Sequence, residues 1–494
     1  MSSTLCVLQS SYAASQSPFA EFDPPATPAH FAADRAWHHA QIDKARAVAQ
    51  IIALAQQPCA AFINLCDGAW DEDRAGIEVA QTLQRLGQAY TGASPEHYDP
   101  SREAMKRALH YAGLATPRYA FAATPAQCAY AAQHLRFPVI AKHPASYGSI
   151  ALDRNAVCTT PDRLQARVAW LTAQFGQALL EEFIAGREFT VLVAEGLTCG
   201  EPRTWPPVEF TFPPGETFKH FALKWVDHAQ LGAVLVGDAE LAMRLRDTAA
   251  QFFTALGCDG YGRVDIRMAD DGVLQVLEIN PNCGVFYPRG SFGSADFILD
   301  ATPDGHRDFL DHIVACAIAR QRRTQPRLKV QFDLMRNSYG LVADRALPAG
   351  EVVQPGEGQP HYLVTRRHVA EQWNPVQRGW FAQYAWPLSA QLHVAWSPRP
   401  EDWQPLDHSC DPNTWLQGLD LVARRPIAGG EAITIDYATF CGPDMAPFAC
   451  ACAALDCRRT VCGGDHLLAA LGPRYAGHFS DFVTQARVAA GLIA

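Results

Sequence analysis

Two short segments near the middle of the chain alternate apolar residues with charged or amide residues, and they constrain the fold more than any other feature. In residues 262–268, Arg263 and Asp265 fall on one face of an extended strand. In residues 276–284, Glu278 and Asn280 do the same. Carboxylate and amide oxygens on paired strands suit Mg²⁺ that is shared with phosphate groups. The two segments therefore predict a sheet with a metal and phosphate site on one face.

Positive charge for such phosphates is available elsewhere in the chain. Lys142 ends a buried run at 137–142, and Lys224 follows later. The loop at 145–149 is small enough to fold over a phosphate through its backbone N–H groups. Taken singly, each of these residues is more often an ordinary charge at the rim of a sheet. Their order along the chain favours the site.

The pattern of apolar residues predicts three regions and a tail. Strands at 5–8 and 60–65, with a helix between residues 34 and 56, predict an N-terminal α/β unit over residues 1–100. Residues 101–325 continue the alternation. The polar stretch at 321–327 contains Pro326, which ends helix propagation. A β-rich domain follows at 328–465, and a helical tail at 466–494. Within residues 1–325 we expect further helices at 77–86, 244–256 and 311–323 and further strands at 137–142, 188–193 and 273–279.

Composition narrows the classes of protein. The 494 residues are 48% hydrophobic and 19% charged, which suits large globular cores. The balance of 51 acidic and 41 basic residues argues against a nucleic-acid partner. No run of 18 apolar residues lacks a charge, so we expect no membrane span. The N-terminus lacks the basic region of a signal peptide, so the 15 cysteines are interpreted as reduced thiols in a cytoplasmic protein.

An ordered set of motifs over residues 1–320 resembles the ATP-grasp ligases, and within them the D-alanine–D-alanine ligase branch. The resemblance implies an N-terminal α/β subdomain and two α+β subdomains with ATP between them. It also implies that a carboxylate attacks the γ-phosphate to form an acyl phosphate, which an amine then displaces. The motifs are INLCDG at 63–68, YTGASP at 90–95, FPVIAKHPASYGS at 137–149, LLEEFIAGREFTV at 179–191, GRVDIRM at 262–268 and VLEINPNCG at 276–284.

The resemblance also implies a role for each matching residue. Lys142 and Ser149 would bind the phosphates, Glu181 the adenine amino group and Glu188 the ribose, with Phe183 and Ile184 at the hinge. Lys224 would reach the γ-phosphate, and Asp265, Glu278 and Asn280 would hold two Mg²⁺ ions. Arg263 and the backbone of Gly284 would stabilise the tetrahedral intermediate.

Three positions depart from the ligase pattern. The family has a lysine at Arg102, a tyrosine at Trp225, and near Arg289 a serine that grips the substrate carboxylate. Arginine keeps the charge of lysine but not its shape. The departures argue against D-alanyl-D-alanine as the product, while Arg289 becomes a candidate substrate residue.

Three cysteines near the end of the β-rich region form the pattern C-x-C-x₄-C, at Cys450, Cys452 and Cys457. Zn²⁺ in a structural site takes four tetrahedral ligands, so a fourth must come from elsewhere. Cys410 is the best candidate, and Cys441 and Cys462 remain alternatives.

The same region resembles the SET-domain methyltransferases with a post-SET zinc motif. The resemblance implies a pseudo-knotted, β-rich fold that binds S-adenosylmethionine. Tyr339 and Gly340 would lie against this cofactor, with Asp407 and His408 in its binding motif. Tyr437, on a predicted strand face with Ile433 and Ile435, would be catalytic, although a core tyrosine remains an alternative. Asp407 replaces an asparagine, and Ser338 replaces the first glycine of a G-x-G. The motifs are NSYGLVADRALPAGEVV at 337–353, DHSCDPN at 407–413, RRPIAGGEAITIDY at 424–437 and FACACAALDCRR at 448–459.

The leading hypothesis is a bifunctional enzyme. One activity ligates amino-acid-like small molecules with ATP and Mg²⁺, and the other methylates an amine with S-adenosylmethionine. Zn²⁺ would be a structural metal, and a homodimer is a possible assembly. Two alternatives stay open. One is a protein-lysine methyltransferase whose ATP-grasp half only binds, and the other is a ligase with a structural SET appendage.

Overall fold

The computed structural model divides the chain into two compact units, Met1–Gln325 and Pro326–Ala494. The first unit alternates helices with strands, and the second consists mainly of short strands. The described residues are 4–13, 15–16, 20, 23–69, 72–145, 149, 151–197, 200–225, 231–291, 293–325, 327–335, 337–395 and 402–493.

A parallel three-stranded sheet begins the first unit. Its strands β1 (Leu5–Ser10), β2 (Trp37–Ile42) and β3 (Ala61–Asn64) lie in the order β2-β1-β3. Helices α1 (Ala47–Ala55) and α2 (Ile77–Arg85) pack their apolar faces into the same core. The central strand β1 is apolar throughout residues 5–8 because both of its faces are buried, with Leu5 and Val7 in one core and Cys6 and Leu8 in another.

The predicted helix over residues 34–56 is wrong in its first half. Residues 37–42 form β2, which pairs with β1 from Leu5↔Trp37 to Ser10↔Ile42. Tryptophan and histidine have modest helix propensity, so tertiary pairing decides the structure of this segment. The second half of the predicted helix is confirmed as α1, Ala47–Ala55.

A second, antiparallel sheet of four strands follows, in the order β4-β7-β5-β6. Helix α3 precedes it, and the helices α4 and α5 pack against it. The elements in chain order are α3 (Arg102–Tyr111), β4 (Tyr119–Ala122), α4 (Pro125–His134), β5 (Val139–Lys142), β6 (Val157–Cys158), α5 (Pro161–Phe175) and β7 (Ala178–Glu182).

A six-stranded antiparallel sheet completes the unit, in the order β11-β10-β8-β12-β13, with β9 paired to β8. Helices α3 and α7 cover one apolar face, and α8 and α9 pack into the core that also contains β1 and β3. The remaining expected strands and helices are confirmed. The elements are β8 (Arg187–Ala194), β9 (Arg203–Thr204), β10 (Val208–Thr211), α6 (Phe221–Trp225), β11 (Gly232–Leu235), α7 (Ala239–Ala255), β12 (Tyr261–Met268), β13 (Leu274–Pro281), α8 (Ser294–Asp300) and α9 (Gly305–Thr324).

The second unit consists of small sheets of two or three strands. Its largest apolar core among the described residues is formed by Leu341, Leu421, Ile433, Ile435 and their neighbours, and two smaller clusters accompany it. The elements are β14 (Leu328–Asp333), β15 (Ser338–Ala343), β16 (Val352–Gln354), β17 (Tyr362–Thr365), α10 (Arg366–Gln372), α11 (Pro375–Tyr384), β18 (Trp386–Pro387), β19 (Leu392–Ala395), β20 (Asp407–His408), β21 (Thr414–Gln417), β22 (Asp420–Ala423), β23 (Thr434–Ile435), β24 (Phe448–Ala449), β25 (Thr460–Val461), α12 (Leu471–Arg474) and α13 (Asp481–Ala489).

Tyr437 does not end a strand as expected. Strand β23 stops at Ile435, and Tyr437 begins a short 3₁₀ turn that Asp436 caps by accepting a hydrogen bond from the N–H of Ala438. The two isoleucines of the predicted face are fully buried, as expected. Among the described residues, no helix combines the length and apolarity needed to cross a membrane.

Candidate active sites

Residues from the two antiparallel sheets of the first unit line a cavity of about 110 Å³. Strands β5 and β7 form one wall, and β8, β12 and β13 form the other. Ten of the predicted site residues lie here. They are Lys142, Ser149, Glu181, Phe183, Ile184, Glu188, Lys224, Arg263, Asp265 and Glu278. Of the predicted phosphate loop, residues 146–148 lie outside the described residues.

A buried carboxylate, Glu181, joins two lysines at one end of this cavity. Its Oε2 atom lies 2.6 Å from Lys142 Nζ, and its Oε1 atom pairs with Lys106, which donates a hydrogen bond to Thr116. Burial raises the pKa of Glu181, but the two lysines outweigh burial and hold the pKa at about 2. The carboxylate is therefore charged, and it fixes the position of Lys142.

A second buried carboxylate, Glu188, is held by two cations. Lys219 Nζ lies 3.0 Å from its Oε1 atom, and Arg267 donates to its Oε2 atom over 2.7 and 3.0 Å. These cations lower the pKa of Glu188 against the effect of burial. The Arg267 guanidinium also lies over the ring of Phe183, 4.9 Å from its centroid. The predicted hinge and ribose residues thus belong to one rigid network.

The three oxygen-bearing residues of β12 and β13 come together as the alternation predicted. Asn280 Nδ2 lies 3.4 Å from Asp265 Oδ2 and 3.4 Å from Glu278 Oε1. Arg263 donates to both oxygens of Asp265 at 3.0 Å, and this pairing lowers the pKa of Asp265 although burial opposes it. Arg102, at a position where the family has a lysine, pairs with Glu278.

Lys224 connects this cavity to a second one. It lies on α6 and lines both cavities. Burial, with Arg263 and Lys219 nearby, lowers the pKa of Lys224 to about 7. The side chain of the neighbouring Trp225 lies outside the described residues.

The second cavity, of about 130 Å³, is lined by Arg263, Asn280 and Gly284. A side chain at Gly284 would place its Cβ 2.6 Å from the Tyr287 hydroxyl, so this close approach requires glycine. The predicted substrate residue Arg289 lies elsewhere. Its side chain is 79% exposed, its nearest acidic partner is Asp300 at 3.7 Å, and it lines neither cavity.

Charged residues that the sequence reading did not assign also line this second cavity. Arg74 binds Asp67 at 2.8 Å and Glu72 at 2.6 Å, and the Tyr287 hydroxyl donates to Asp23 at 2.8 Å. Burial, together with Asp23 and Glu72, raises the pKa of Asp67 to about 6 despite Arg74. Asp67 lies within the INLCDG motif, so the sequence pattern could have identified it as a site residue. Arg74 and Asp23 lie in segments without periodicity, and only the fold brings them together.

In the second unit, three of the four predicted cofactor residues lie against one another. Strand β20, which is Asp407–His408, runs parallel to β23. A Cβ at Gly340 would lie 2.8 Å from Asp407 Oδ2, so the two residues are in close contact. His408 Nδ1 accepts a hydrogen bond from the N–H of Tyr437 at 3.2 Å, and burial lowers the pKa of His408 to about 4. Tyr339 is half-exposed, with its ring 5.0 Å from Phe332.

The Tyr437 hydroxyl donates to the carbonyl oxygen of Leu406 at 2.5 Å. Its ring contacts His408 and Phe448, with centroids 5.1 and 5.9 Å away. Burial raises the pKa of Tyr437, so the hydroxyl stays neutral at ordinary pH. The contacts are those of an ordered tyrosine whose hydroxyl position is fixed.

The four predicted zinc ligands, Cys410, Cys450, Cys452 and Cys457, form one cluster whose sulfur atoms all lie within 4.8 Å of one another. Backbone N–H groups donate to three of these sulfurs at 3.4 Å. Burial raises the pKa of Cys452, but hydrogen bonds from backbone N–H groups outweigh burial and lower the pKa to about 6. The alternatives Cys441 and Cys462 are not part of the cluster, and Cys462 donates to Asp465 at 3.0 Å.

Behind Tyr437, the fully buried Asp436 connects three parts of the unit. Arg458, which follows Cys457 of the cluster, donates to both of its oxygens at 2.5 and 2.9 Å. The hydroxyl of Tyr475, near helix α12, donates to the same carboxylate at 3.1 Å. The Asp436 carboxylate therefore links the cysteine cluster and the C-terminal residues to the turn that holds Tyr437.

Comparison with known families matches each unit to a different model. Residues 109–287 match the model described as D-ala D-ala ligase C-terminus, and residues 338–438 match the SET domain. The chain therefore joins an ATP-grasp domain of the D-alanine–D-alanine ligase type to a SET domain. Both family expectations from the sequence are confirmed.

Individual relatives resemble the ligase half. A D-alanine–D-alanine ligase of Pseudomonas fluorescens is 32% identical over 208 residues, which cover 41% of this chain and 60% of that protein. An uncharacterized protein of Sinorhizobium fredii is 31% identical over 255 residues, which cover 49% of this chain and 69% of its own length. The chain thus spans about 60% of the length of the ligase from Pseudomonas.

Among solved structures, the D-alanine–D-alanine ligase from Bacillus anthracis complexed with ATP is similar to this chain. It shows 18% sequence identity and a TM-score of 0.47, with 65% of this chain and 99% of that chain covered.

We predict that Glu181→Gln lowers the free energy of unfolding of the first unit by about 3–5 kcal/mol, because it leaves the charge of Lys106 buried without its carboxylate. Urea unfolding followed by circular dichroism measures the loss. Lys106→Met combined with Glu181→Gln should recover much of it, since the uncompensated charge is then gone.

The matched control is Glu209→Gln, which breaks the partly exposed pair with Arg187. Such a pair contributes about 0–1 kcal/mol. If Glu181→Gln costs no more than this control, the buried pair does not have the structural role assigned to it.

Proposed function

We propose that the chain is a bifunctional enzyme, with an ATP-dependent carboxylate–amine ligase followed by an S-adenosylmethionine-dependent N-methyltransferase. The proposed domains are 1–100 and 101–325 for the ligase, 328–465 for the methyltransferase with its zinc motif, and 466–494 for the tail. One observation supports the ligase most directly, namely that residues from five of the six sequence motifs meet at two cavities that share Lys224 and Arg263.

The ligase chemistry follows from the charges at these cavities. Lys142, fixed by Glu181, would bind the phosphates of ATP, and Lys224 would neutralise the γ-phosphate where the two cavities meet. The substrate carboxylate attacks the γ-phosphorus to give an acyl phosphate and ADP. An amine then attacks the acyl carbon, and phosphate leaves. Arg263 and the Gly284 backbone lie on the second-cavity side, where they would stabilise the tetrahedral intermediate.

The donor set of Asp265, Glu278 and Asn280 fits Mg²⁺, because all three offer hard oxygen ligands from paired strands. Bound there, the metal would supply a positive charge that offsets the charge of the phosphates. Arg263 pairs with Asp265 and Arg102 pairs with Glu278, so the two arginines hold both carboxylates of this set in place. Amino-acid-like small molecules are the proposed substrates.

We predict that Glu278→Gln lowers the rate of ADP formation by about 100-fold or more, because it replaces a negatively charged carboxylate of the proposed metal site with a neutral amide. The assay supplies ATP, Mg²⁺ and a panel of amino acids and separates ADP from AMP. Glu240→Gln, at an exposed position on α7, is the matched control and should keep full activity. Release of AMP and pyrophosphate by the unaltered protein would exclude an acyl phosphate route.

The methyl transfer is proposed to take place beside Tyr437. Tyr339, Gly340, Asp407 and His408 would bind S-adenosylmethionine, whose methylsulfonium supplies the methyl group. The hydroxyl of Tyr437 is neutral, and its hydrogen bond to the carbonyl oxygen of Leu406 fixes its position. It would therefore orient the reacting groups without changing its own charge. His408 stays uncharged because of burial, so it adds no positive charge next to a cationic cofactor.

We predict that Tyr437→Phe preserves the fold and cofactor binding but slows methyl transfer by about 100-fold, because misplacement of a reacting group has costs of this order. Calorimetric titration with S-adenosylmethionine measures binding, and release of S-adenosylhomocysteine with a panel of primary amines measures transfer. Tyr362→Phe, at a half-exposed tyrosine in the same unit, is the control.

The three possible outcomes separate the open alternatives. Absence of cofactor binding to the unaltered protein would favour a structural SET domain. Methyl transfer without any ATP cleavage would favour a methyltransferase with a binding-only ligase half. If Tyr437 is a core tyrosine without a catalytic role, Tyr437→Phe should lower the stability of the second unit and leave the rate of methyl transfer unchanged.

The cysteine cluster fits a structural Zn²⁺ site, because four thiols meet and backbone N–H groups favour the thiolate form of Cys452. Bound there, zinc would cross-link the segment of Cys410 to the segment of Cys450–Cys457. The site supplies no open position for substrate when all four cysteines are ligands.

We predict about one zinc per chain by elemental analysis, and its loss in Cys452→Ser. The second unit should then melt at a lower temperature, since metal binding and folding are coupled. Cys462→Ser tests the alternative ligand and should retain the metal. Retention by Cys452→Ser, or loss from Cys462→Ser alone, would contradict the assignment of the four ligands.

A further inference from the structure

The second unit contains a cavity of about 610 Å³, several times larger than either cavity of the first unit. Pockets of roughly 300–1,000 Å³ commonly enclose most of a drug-sized ligand. The butyl chain of a lysine side chain has only four methylene groups, so it would leave most of this volume unfilled. The cavity therefore suits a ligand with a larger body.

The described residues that line this cavity include no Asp, Glu, Lys or Arg. Its walls are aromatic and aliphatic, with Tyr384, Trp386, Phe440 and Phe448 among the larger side chains. Moving a charged group into such surroundings without a partner is strongly unfavourable. A free amino acid does not match this lining, because its carboxylate stays charged whereas an amino group can enter in its neutral form.

The cavity reaches the proposed site of methyl transfer from one side. Tyr437 and Leu406, whose hydrogen bond fixes the tyrosine hydroxyl, both line it. The predicted cofactor residues Tyr339, Gly340, Asp407 and His408 do not line it. Tyr437 thus separates a cofactor side from an apolar side, which is the arrangement expected when the second substrate enters opposite the methyl donor.

From these observations, and resting on the methyl transfer proposed above, we infer that the SET domain methylates a small-molecule amine carried on a bulky, uncharged, apolar or aromatic body. A protein lysine is not its substrate. In the reaction the lone pair of the neutral amine forms the new N–C bond while the C–S bond of S-adenosylmethionine breaks. The electron pair goes to sulfur, giving S-adenosylhomocysteine, and the amine releases its proton to water.

The test compares two primary amines by calorimetric titration into the full chain saturated with S-adenosylhomocysteine. The probes are 2-(2-naphthyl)ethylamine and Nα-acetyl-lysine N-methylamide, which carry similar amino groups on different bodies. We expect the naphthyl amine to bind at least about tenfold more tightly, because aromatic burial adds to the binding of the amino group. Equal affinity, or tighter binding of the lysine derivative, would overturn the inference.

Gly379→Trp tests where the probe binds. Gly379 lies at the cavity rim on α11, and a Cβ added there meets no atom within 4 Å, so the variant has room to fold. It should lose affinity for the naphthyl amine. Val376→Trp, on the same helix but 81% exposed and outside the cavity lining, is the matched control. Unchanged affinity in Gly379→Trp would also overturn the inference.

Methyl transfer is measured separately with both probes. If the naphthyl amine binds preferentially but accepts no methyl group, the methyltransferase proposal fails while the assignment of the cavity stands. If the lysine derivative is methylated faster, methyl transfer is supported and the small-molecule inference fails.

Discussion

Strand β12 is the element on which the ligase site depends, because its backbone pairing sets the relative positions of the charges on three neighbouring strands. On one side, Arg263 lies opposite Asn280 and Asp265 opposite Glu278. On the other side, Asp265 lies opposite Thr190 and Arg267 opposite Glu188. A slip of one residue would turn these side chains to the other face of the sheet, where the apolar core with α7 lies. Packing of the apolar core therefore fixes the strand register, and this register determines where the charged side chains of the site lie.

The same principle of opposed charges explains how so many ionised groups stay buried. Glu181, Glu188 and Asp265 each have cationic partners that outweigh the effect of burial on the pKa. In the second unit the cavity beside Tyr437 follows the opposite principle, since its described lining carries no charged side chain. The two halves thus provide contrasting environments, one suited to phosphates and carboxylates and the other to an uncharged ligand body.

Much of this arrangement could be predicted from the sequence wherever a local pattern carries the information. The alternation in β12 and β13 predicted which side chains share a face, and the spacing of three cysteines predicted a cluster and required a fourth ligand. Where the pattern was weak, prediction failed. Residues 37–42 look helical but pair as β2, and Tyr437 leaves its strand because Asp436 caps a turn. Arg74 and Asp23 join the second cavity through tertiary contacts that no spacing reveals, whereas Arg289, inferred only by position, lies exposed.

The Asp436 carboxylate has a consequence for how such a chain can arise by gene fusion. The residues that match the SET family end at 438, yet two partners of this carboxylate, Arg458 and Tyr475, lie 22 and 39 residues beyond Asp436. A recombination event that transferred only the matched segment would leave a fully buried carboxylate next to Tyr437 without these two donors. The segment that must be transferred together to keep these contacts is accordingly longer than the region of family similarity, and it extends at least to Tyr475.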